Sequence, residues 1–390
     1  MELNTKILKG LKPKIEKALK LIDEAAKSKQ VIFVRHHNDC DGYSAALALD
    51  RLIYKKISEN HFKERDTHYF YRRTPSQTPY YSFEDSTRDI AFIYDSIVTR
   101  NKNPLMIILD NGSSKQDLEG IKRLKAFGFK IIVIDHHPPT NEVDDLVDVH
   151  VNPYQVDDKA VISAGTLCSY IAGCIDNDDE TYNVISAVSG ISDRMEGEEF
   201  KLSLDSLKDK YSYEQLKDLG RVVDYELQRS GYLDPWTMVK ELLLNELGKR
   251  KILLNQYLID LNEKDEESLQ TSLKYATLKE KDNLLIARID LFQTNHKGSY
   301  PSSGKTTGIL HRYLEENNVG KEVITFGINP EMITLRGTDN APIDTNMLIR
   351  ELKTKFPQAK IEGGGHPHAG SIKFIQAAKN DILDFIDSKY

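Results

Sequence analysis

Acidic and imidazole groups recur through the N-terminal half of the chain in patterns that suit a divalent metal centre: His37, Asp39, Asp41, Asp110, Asp135, His136, His137 and Asp193. Mg²⁺ and Mn²⁺ prefer carboxylate oxygen as a ligand, and imidazole shifts the preference toward Mn²⁺. Two such cations about 3.5–4 Å apart need a bridging group, which a single aspartate can provide. We therefore predict a site for two divalent cations, with Mn²⁺ preferred and Mg²⁺ as the alternative.

Short apolar runs precede several of these groups and predict the strands that position them. The runs cover 31–34, 105–109 and 131–134, and the helical patterns 44–54 and 118–124 lie between them. Strands that alternate with helices predict a parallel sheet. Ligands of open α/β sheets bind in the crevice outside the carboxyl ends of the strands, so the polar groups that follow these runs are expected to converge.

The Asp39-Cys40-Asp41-Gly42 segment also has a purely structural explanation. Two aspartates in such a loop are typical of a turn or of a helix cap, and glycine permits a tight turn into a helix. On an extended loop, residues two apart face the same way, which would suit metal ligation equally well. The structural explanation fails for the set as a whole, because four separate segments supply acids and imidazoles.

The rest of the chain predicts a helical connector and a smaller second α/β domain. Long charged helical patterns without strand signals extend from 198 to 280. After them, 284–291, 323–328 and 332–335 resemble strands, and 309–316 and 347–356 resemble helices. The predicted domains are therefore 1–197, 198–280 and 281–390.

The composition narrows the class of protein. A formal net charge of −7 argues against a surface that wraps long duplex DNA, although cations in a groove can still neutralise phosphate. The three cysteines have spacings that fit neither a disulfide framework nor a zinc site. No apolar stretch is long enough to span a membrane, and we expect a soluble cytoplasmic protein.

Five segments resemble the motifs of the DHH phosphoesterases, which are named for their Asp-His-His sequence. Four of them occur in the family's order at 31–47, 106–113, 134–138 and 188–195. The fifth, Gly363-Gly364-Gly365-His366-Pro367-His368-Ala369-Gly370-Ser371, resembles the glycine-rich signature of the DHHA1 domain. The resemblance implies a doubly wound, mostly parallel N-terminal DHH domain, a C-terminal DHHA1 domain, and an active site in the cleft between them.

The resemblance also implies a role for each matching residue. His37, Asp39 and Asp110 would hold one metal, and Asp41, Asp110, His136 and Asp193 the other, with Asp110 as the bridge. His137 would face the scissile phosphate, and Asp135 would orient the neighbouring histidines. Substrate would meet the following residues of the C-terminal domain: Arg336, Gly363, Gly364, Gly365, His366, His368 and Ser371. Either His36 or His37 could be the first ligand.

The motif pattern is closest to the RecJ-like branch of the archaeal type, which implies a single-strand exonuclease acting on DNA or RNA. Relatives that degrade short oligoribonucleotides, 3′-phosphoadenosine 5′-phosphate or cyclic dinucleotides share the same motifs and form the alternative. A second alternative is a Cdc45-like replication factor that binds the GINS complex. The resemblance settles neither the polarity of digestion nor the choice between DNA and RNA.

Two further segments have competing interpretations. Aromatic residues beside arginines at 69–73 could stack bases of a single strand, or could form an ordinary edge strand and loop. The segment 298–306 resembles a phosphate-binding P-loop, but its glycines are six residues apart where that motif needs five. We interpret 298–306 as a polar loop. A Gly-Gly-Gly run can be a flexible linker, but the His-Pro-His-Ala-Gly-Ser that follows favours a phosphate contact.

Overall fold

The computed structural model describes residues 4–390 except 62, 64, 77, 101, 232 and 297, and describes no side chains for 95–100. The chain divides into two compact units, Met1–Asn255 and Gln256–Tyr390. The predicted domain boundaries at 197 and 280 stay predictions. None of the helices in the described part of the chain is long and apolar enough to cross a membrane.

The N-terminal unit is built on a parallel sheet, which confirms the predicted fold class. Its strands are β1 (Ile32–His36), β2 (Tyr71–Pro75), β3 (Leu105–Leu109), β4 (Lys130–Ile134) and β5 (Val149–Val151). Within the described residues their order is β2-β1-β3-β4-β5, and every neighbouring pair is parallel. The β3 sequence LMIIL is buried throughout, as expected for a strand covered on both faces.

The register of this sheet aligns the carboxyl ends of its central strands. His36 pairs with Leu109, and Leu109 pairs with Ile134. The residues that follow β1, β3 and β4 therefore leave the sheet at the same edge. This alignment brings the predicted loops together although they are about 25 to 100 residues apart in the sequence.

Helices pack on both faces of the sheet. The helices that the structure describes before β6 are α1 (Lys6–Lys27), α2 (Cys40–Asn60), α3 (Arg65–Phe70), α4 (Phe83–Arg100), α5 (Leu118–Ala126), α6 (Asn141–Asp144), α7 (Ala164–Gly173), α8 (Asp179–Ser192), α9 (Glu198–Leu207), α10 (Tyr213–Ser230), α11 (Trp236–Leu244) and α12 (Arg250–Tyr275). Side chains of α4 and α5 pack with Phe33, Met106 and Val133 on one face. On the other face, α1 contacts β1 and β3, α2 contacts β1 to β3, and α7 contacts β4. The helices α7, α8 and α2 also pack on one another, so α2 is buried over most of its length.

The predicted connector is helical over most of its length. Its helices α9, α10 and α11 lie in the N-terminal unit, where α9 and α10 pack against α8. The sequence predicted no strand between 198 and 280, whereas 277–281 form one. The polar sequence TLKEK has little strand preference of its own, and antiparallel pairing with the following strand determines its conformation.

The C-terminal unit contains a mixed sheet with strands β6 (Thr277–Lys281), β7 (Leu284–Asp290), β8 (Glu322–Ile328), β9 (Met332–Gly337), β10 (Glu362–His366) and β11 (Ala369–Lys373). Its helices are α13 (Leu291–Thr294), α14 (Ser303–Asn317), α15 (Thr345–Lys355) and α16 (Lys379–Lys389). The strand order among the described residues is β10-β11-β9-β8-β7-β6. The three strands and two helices predicted here are confirmed.

Candidate metal centre

The first group of predicted ligands lies in the loop between β1 and α2 and at the end of β3. His37 Nδ1 is 2.7 Å from Asp39 Oδ2 and 3.3 Å from Asp110 Oδ2. One ligand atom from each of His37, Asp39 and Asp110 fits within a sphere suited to a single cation, since these atoms all lie within 4.8 Å of one another. Asp39 also caps α2, because its Oδ1 accepts a hydrogen bond from Gly42 N at 2.9 Å. The helix-cap interpretation and metal ligation therefore use different oxygens of the same carboxylate.

The second group surrounds His136, in the loop after β4. His136 Nε2 lies 3.2 Å from Asp110 Oδ1, 3.3 Å from Asp193 Oδ2 and 3.5 Å from Asp41 Oδ2. Asp193 comes directly after the last residue of α8, and Asp41 is in the first turn of α2. The structure thus brings all six predicted metal ligands into two adjoining groups.

Asp110 connects the two groups, because its Oδ2 faces His37 and its Oδ1 faces His136. It adopts φ +56°, a left-handed conformation that aspartate tolerates better than most residues. Its side chain is buried, and no hydrogen bond reaches Oδ1, Oδ2 or His136 Nε2 from the described residues. Buried polar atoms without partners are costly, so their convergence fits a bound cation that would satisfy them.

The imidazoles take up protons in this environment. Burial would lower the pKa of His136, but the adjacent carboxylate of Asp110 raises it to about 9. Burial would also lower the pKa of His37, but Asp39 and Asp110 hold it well above its ordinary range. Burial would raise the pKa of Asp110, but His136 and His37 hold it well below its ordinary value. In the metal-free protein, protonated imidazoles therefore balance part of the carboxylate charge.

The pKa values of two carboxylates on the α8 side of the centre are raised, whereas that of Asp110 is lowered. Burial and the charge of Asp110 raise the pKa of Asp41 to about 7, against the attraction of His136. Burial and the charges of Asp41 and Asp39 raise the pKa of Asp193 well above its ordinary value. A site that forces carboxylates to hold protons has an excess of negative charge. A divalent cation would relieve that excess.

Asp41 is held by the N-terminus of α7. Its two oxygens accept hydrogen bonds from Ala164 N at 2.9 Å and Gly165 N at 2.7 Å, and Ser189 Oγ donates to Oδ1. A side chain on Gly165 would place its Cβ 2.9 Å from Asp41 Oδ1 and 2.5 Å from Ser189 Oγ. These contacts were not predicted from the sequence, although the Ser163 before α7 is a recognisable helix cap.

Asp135 and His137 form a pair beside the metal ligands. The Oδ1 of Asp135 lies 2.8 Å from His137 Nδ1 and accepts hydrogen bonds from the backbone of His136 and His137. Burial would raise the pKa of Asp135, but the charge of His137 outweighs it and lowers the pKa to about 2. The ionised Asp135 in turn raises the pKa of His137 to about 9, against the effect of burial. Asp135 therefore orients His137, whose side chain is half exposed.

The two histidines at the end of β1 differ in their surroundings. The ring of His37 faces the carboxylates of the centre. The ring of His36 is fully buried, with Nδ1 2.7 Å from His37 O and Nε2 2.7 Å from Arg73 Nη1. Both nitrogens of His36 therefore have partners other than a metal.

A buried polar network below His137 was not foreseen from the sequence. Asn152 Nδ2 donates to His137 O at 2.9 Å and to Ser113 Oγ at 3.1 Å. Ser113 also lies 3.0 Å from His150 Nε2, and His150 Nδ1 lies 2.9 Å from Asp144. These residues become neighbours only when β3, β4 and β5 pair, so no local sequence signal identifies them.

The predicted substrate residues lie together in the C-terminal unit. The glycine-rich signature forms a hairpin of β10 and β11 and is therefore not a flexible linker. The sequence did not predict this hairpin. Arg336 pairs with Ala369, and Ser371 pairs with Gly364. His366 ends β10, and His368 stands in the turn before β11. Whether these residues bind substrate stays a prediction.

Residues 71–73 of the aromatic segment 69–73 belong to an edge strand, as one of its two interpretations required, whereas 69 and 70 form the end of the helix α3 and not a loop. Tyr71 begins β2 at the edge of the sheet and is buried, whereas Tyr69 is exposed. Base stacking by Tyr69 stays a prediction. Residues 298–302 form a loop, in agreement with the polar-loop interpretation, whereas 303–306 are the first turn of α14, which that interpretation did not include.

The chain is similar to proteins that contain a DHH domain. The family model for the N-terminal domain of the DHH family matches residues 30–189. The solved DHH domain of a member of the s1p family of ribosomal proteins is 32% identical, with a TM-score of 0.94 over 99% of this chain and 92% of that one. A protein of Methanocaldococcus jannaschii, described as uncharacterized, is 30% identical over 97% of this chain and 54% of its own length. This chain therefore spans about half the length of that curated relative.

A more distant likeness concerns the fold alone. RecJ from Thermus thermophilus, solved in complex with Mn²⁺, is 15% identical. Its TM-score is 0.66 over 96% of this chain and 54% of that chain. An exonuclease RecJ bound to manganese is 13% identical, with a TM-score of 0.63 over 96% of this chain and 94% of that one.

Proposed function

Because the chain belongs to the DHH family, we propose that it is a metal-dependent phosphoesterase that removes nucleotides from single-stranded DNA or RNA as an exonuclease. The position of Asp110 is the observation that carries this proposal. Its two buried oxygens face two different groups of ligands and receive no hydrogen bond from the described residues. An arrangement of this kind suits a carboxylate that bridges two cations.

Each ligand group would hold one cation. His37, Asp39 and Asp110 would hold the first, and Asp41, Asp110, His136 and Asp193 the second. When bound, two divalent cations offset the negative charge of a phosphate and lower the pKa of water toward neutrality. The carboxylate-rich donor set favours Mn²⁺ or Mg²⁺, and RecJ has been solved in complex with each of these ions.

His137 would contact the phosphate itself. Asp135 occupies its Nδ1, so Nε2 is the nitrogen that can face a substrate. Asp135 raises the pKa of His137 to about 9 in the metal-free protein, and a protonated Nε2 can donate a hydrogen bond to a phosphate oxygen. Asp135 would keep the ring in that orientation.

The C-terminal unit would bind the nucleotide. The backbone of Gly364 is open to close approach, since a Cβ there would meet nothing within 4 Å. Arg336, His366 and His368 lie near the same hairpin and offer donors to phosphate oxygens. A short bound segment of single strand would be compatible with the net charge of −7.

A time course with Mn²⁺ on end-labelled single strands tests the proposal. DNA and RNA of about twenty and about three nucleotides would be compared with the wild-type chain, Asp110→Ala and Asp193→Ala. Asp205→Ala is the matched control, because this aspartate is exposed on α9 away from the centre. Ladders from long strands that disappear only in the first two variants would support an exonuclease and show its polarity.

The other outcomes correspond to the alternative functions. Cleavage of the short strands alone would favour a phosphodiesterase for short oligoribonucleotides, 3′-phosphoadenosine 5′-phosphate or cyclic dinucleotides. If no strand of any length is cleaved in the presence of Mn²⁺ or Mg²⁺, the exonuclease proposal is wrong. Binding to a GINS complex would then be the next property to measure.

A further inference from the structure

His36 is a buried residue for which the proposed chemistry provides no role, yet it contacts the backbone of a candidate metal ligand. Its Nε2 lies 2.7 Å from Arg73 Nη1, and its Nδ1 lies 2.7 Å from His37 O. A guanidinium can only donate, so Nε2 must be the acceptor in this pair. The proton of neutral His36 is then on Nδ1, which donates to the carbonyl oxygen of His37.

Arg73 is itself held firmly in place. Its Nη2 donates to Asp234, and its guanidinium lies 3.7 Å from the ring centroid of Trp236. The other oxygen of Asp234 accepts a hydrogen bond from Tyr43 OH at 2.9 Å. Tyr43 also meets the ring of His36 edge-on, with 4.5 Å between the centroids. These contacts join β1, β2, α2 and the start of α11.

The carbonyl of His37 is confined from a second side. A Cβ at position 42 would lie 2.3 Å from His37 O, so only glycine allows α2 to begin this close to the loop. His37 N also donates to Leu109 O at 3.1 Å, at the end of β3. The backbone of this candidate ligand is therefore fixed by Gly42, Leu109 and His36 together.

We propose that His36 is a positioning residue for the metal ligand His37, and that Arg73 and Asp234 hold His36 in the tautomer this role requires. The inference rests on the proposed function in that it takes His37 to be a ligand. According to this inference, Asp234 connects the segment before α11, within the predicted helical connector, to the geometry of the metal centre. A displaced His37 carbonyl would shift the ring away from Asp39 and Asp110.

A matched pair of substitutions separates the two contacts of His36. In His36→Asn, the amide nitrogen can occupy the position of Nδ1 and donate to His37 O, while the contact with Arg73 is lost. In His36→Gln, the longer side chain can accept from Arg73, while the contact with His37 O is lost. Each variant loses one buried hydrogen bond, so we expect similar losses of thermal stability in EDTA.

Titration calorimetry with Mn²⁺ on the full chain provides the decisive measurement. We expect His36→Gln to bind Mn²⁺ about tenfold more weakly than the wild-type chain, as is typical when a partner of a metal ligand is removed. His36→Asn should stay within about threefold of the wild-type affinity. Similar affinities in the two variants would overturn the inference, because a residue that only fills the core affects both variants equally.

Asp234→Asn provides a second measurement if either His36 variant fails to fold. The amide can still accept from Tyr43, but the charge that holds Arg73 is gone, and Mn²⁺ affinity should fall about threefold. An unchanged affinity would contradict the role of Arg73 and Asp234. If the wild-type chain binds Mn²⁺ but cleaves no strand, the exonuclease proposal fails alone. If it cleaves strands and the affinities of His36→Gln and His36→Asn are equal, only the positioning inference fails.

Discussion

The metal centre of the N-terminal unit and the glycine hairpin of the C-terminal unit present functional atoms in opposite ways. In the centre, Asp41, Asp110 and His136 are buried, and the backbone amides at the start of α7 hold Asp41. In the hairpin, β10 is mostly exposed, and its three glycines offer backbone instead of side chains. The first arrangement holds a few atoms at defined distances, and the second leaves room for a ligand to approach.

The difference follows from what each region would bind. A small cation demands fixed ligand distances, and buried charges are tolerated only when partners compensate them. A nucleotide is larger than a cation. A glycine backbone, which has no side chains, lets a nucleotide approach closely without steric overlap. Substitutions should therefore act through geometry and charge in the centre, and through steric access in the hairpin.

The largest effect is expected from Asp110→Asn. The amide retains the shape of the side chain but removes the charge shared by both ligand groups, and its NH₂ group would face His37 or His136. We expect the rate of phosphodiester cleavage to fall by about a thousandfold or more, since even one preorganised electrostatic contact can contribute 10²–10³. Mn²⁺ stoichiometry measured by calorimetry should fall as well. Full activity in this variant would exclude a bridging role.

Asn152→Ala tests whether the buried network below the centre also sets its geometry. The substitution removes the hydrogen bonds to His137 O and Ser113, and we expect kcat to fall about tenfold to a hundredfold with little change in the KM for substrate. Asn60→Ala is the control, because this asparagine also donates to a backbone carbonyl, that of Lys56, but lies at the end of α2. Equal losses in both variants would point to stability instead of positioning.

The sequence predicted the centre better than the network that supports it. Apolar runs such as 105–109 identify buried strands, and the residues directly after them had to meet at one edge once the sheet was parallel. Asn152 and Arg73 reach the centre only through strand pairing and helix packing between distant segments. The residues next to Asn152 and Arg73 in the sequence do not indicate that role.

The glycine hairpin shows a different limit of prediction. Glycine has little preference for strands, so the segment 363–365 gives no strand signal. Pairing of β11 with β9 and β10 outweighs that weak preference. The helical connector illustrates the same effect at 277–281, where pairing with β7 produces a strand from a polar segment.

The affinity of the metal centre for Mn²⁺ should depend on pH, because its ligands carry protons that a bound cation displaces. The pKa of His136 is about 9 and that of Asp41 is about 7, so a binding cation must displace protons at neutral pH. Apparent Mn²⁺ affinity should therefore rise with pH from 6 to 8, by up to about tenfold per unit for each displaced proton. Calorimetry in two buffers of different ionisation enthalpy would count the protons released. An affinity independent of pH would contradict these pKa values.

The smallest effects are expected from substitutions of two neighbouring glycines in the hairpin. They separate a structural role of the hairpin from a role in binding. A Cβ on Gly363 would lie 2.2 Å from Ser371 O, at φ +147°, whereas a Cβ on Gly364 would meet nothing within 4 Å. We expect Gly363→Ala to reduce the free energy of unfolding by about 1–3 kcal/mol, and Gly364→Ala to change it by less than about 0.5 kcal/mol. Thermal and urea unfolding would measure both.

Gly364→Ala is then a probe of the ligand surface that leaves the fold intact. If a nucleotide approaches the backbone at this position, a methyl group should raise the KM for single strands severalfold while leaving kcat and Mn²⁺ affinity unchanged, because the centre lies in the other unit. An unchanged KM would mean that Gly364 makes no close contact with substrate. The glycines would then serve the pairing of β10 with β11, and Arg336 with the two histidines would have to account for any recognition by this unit.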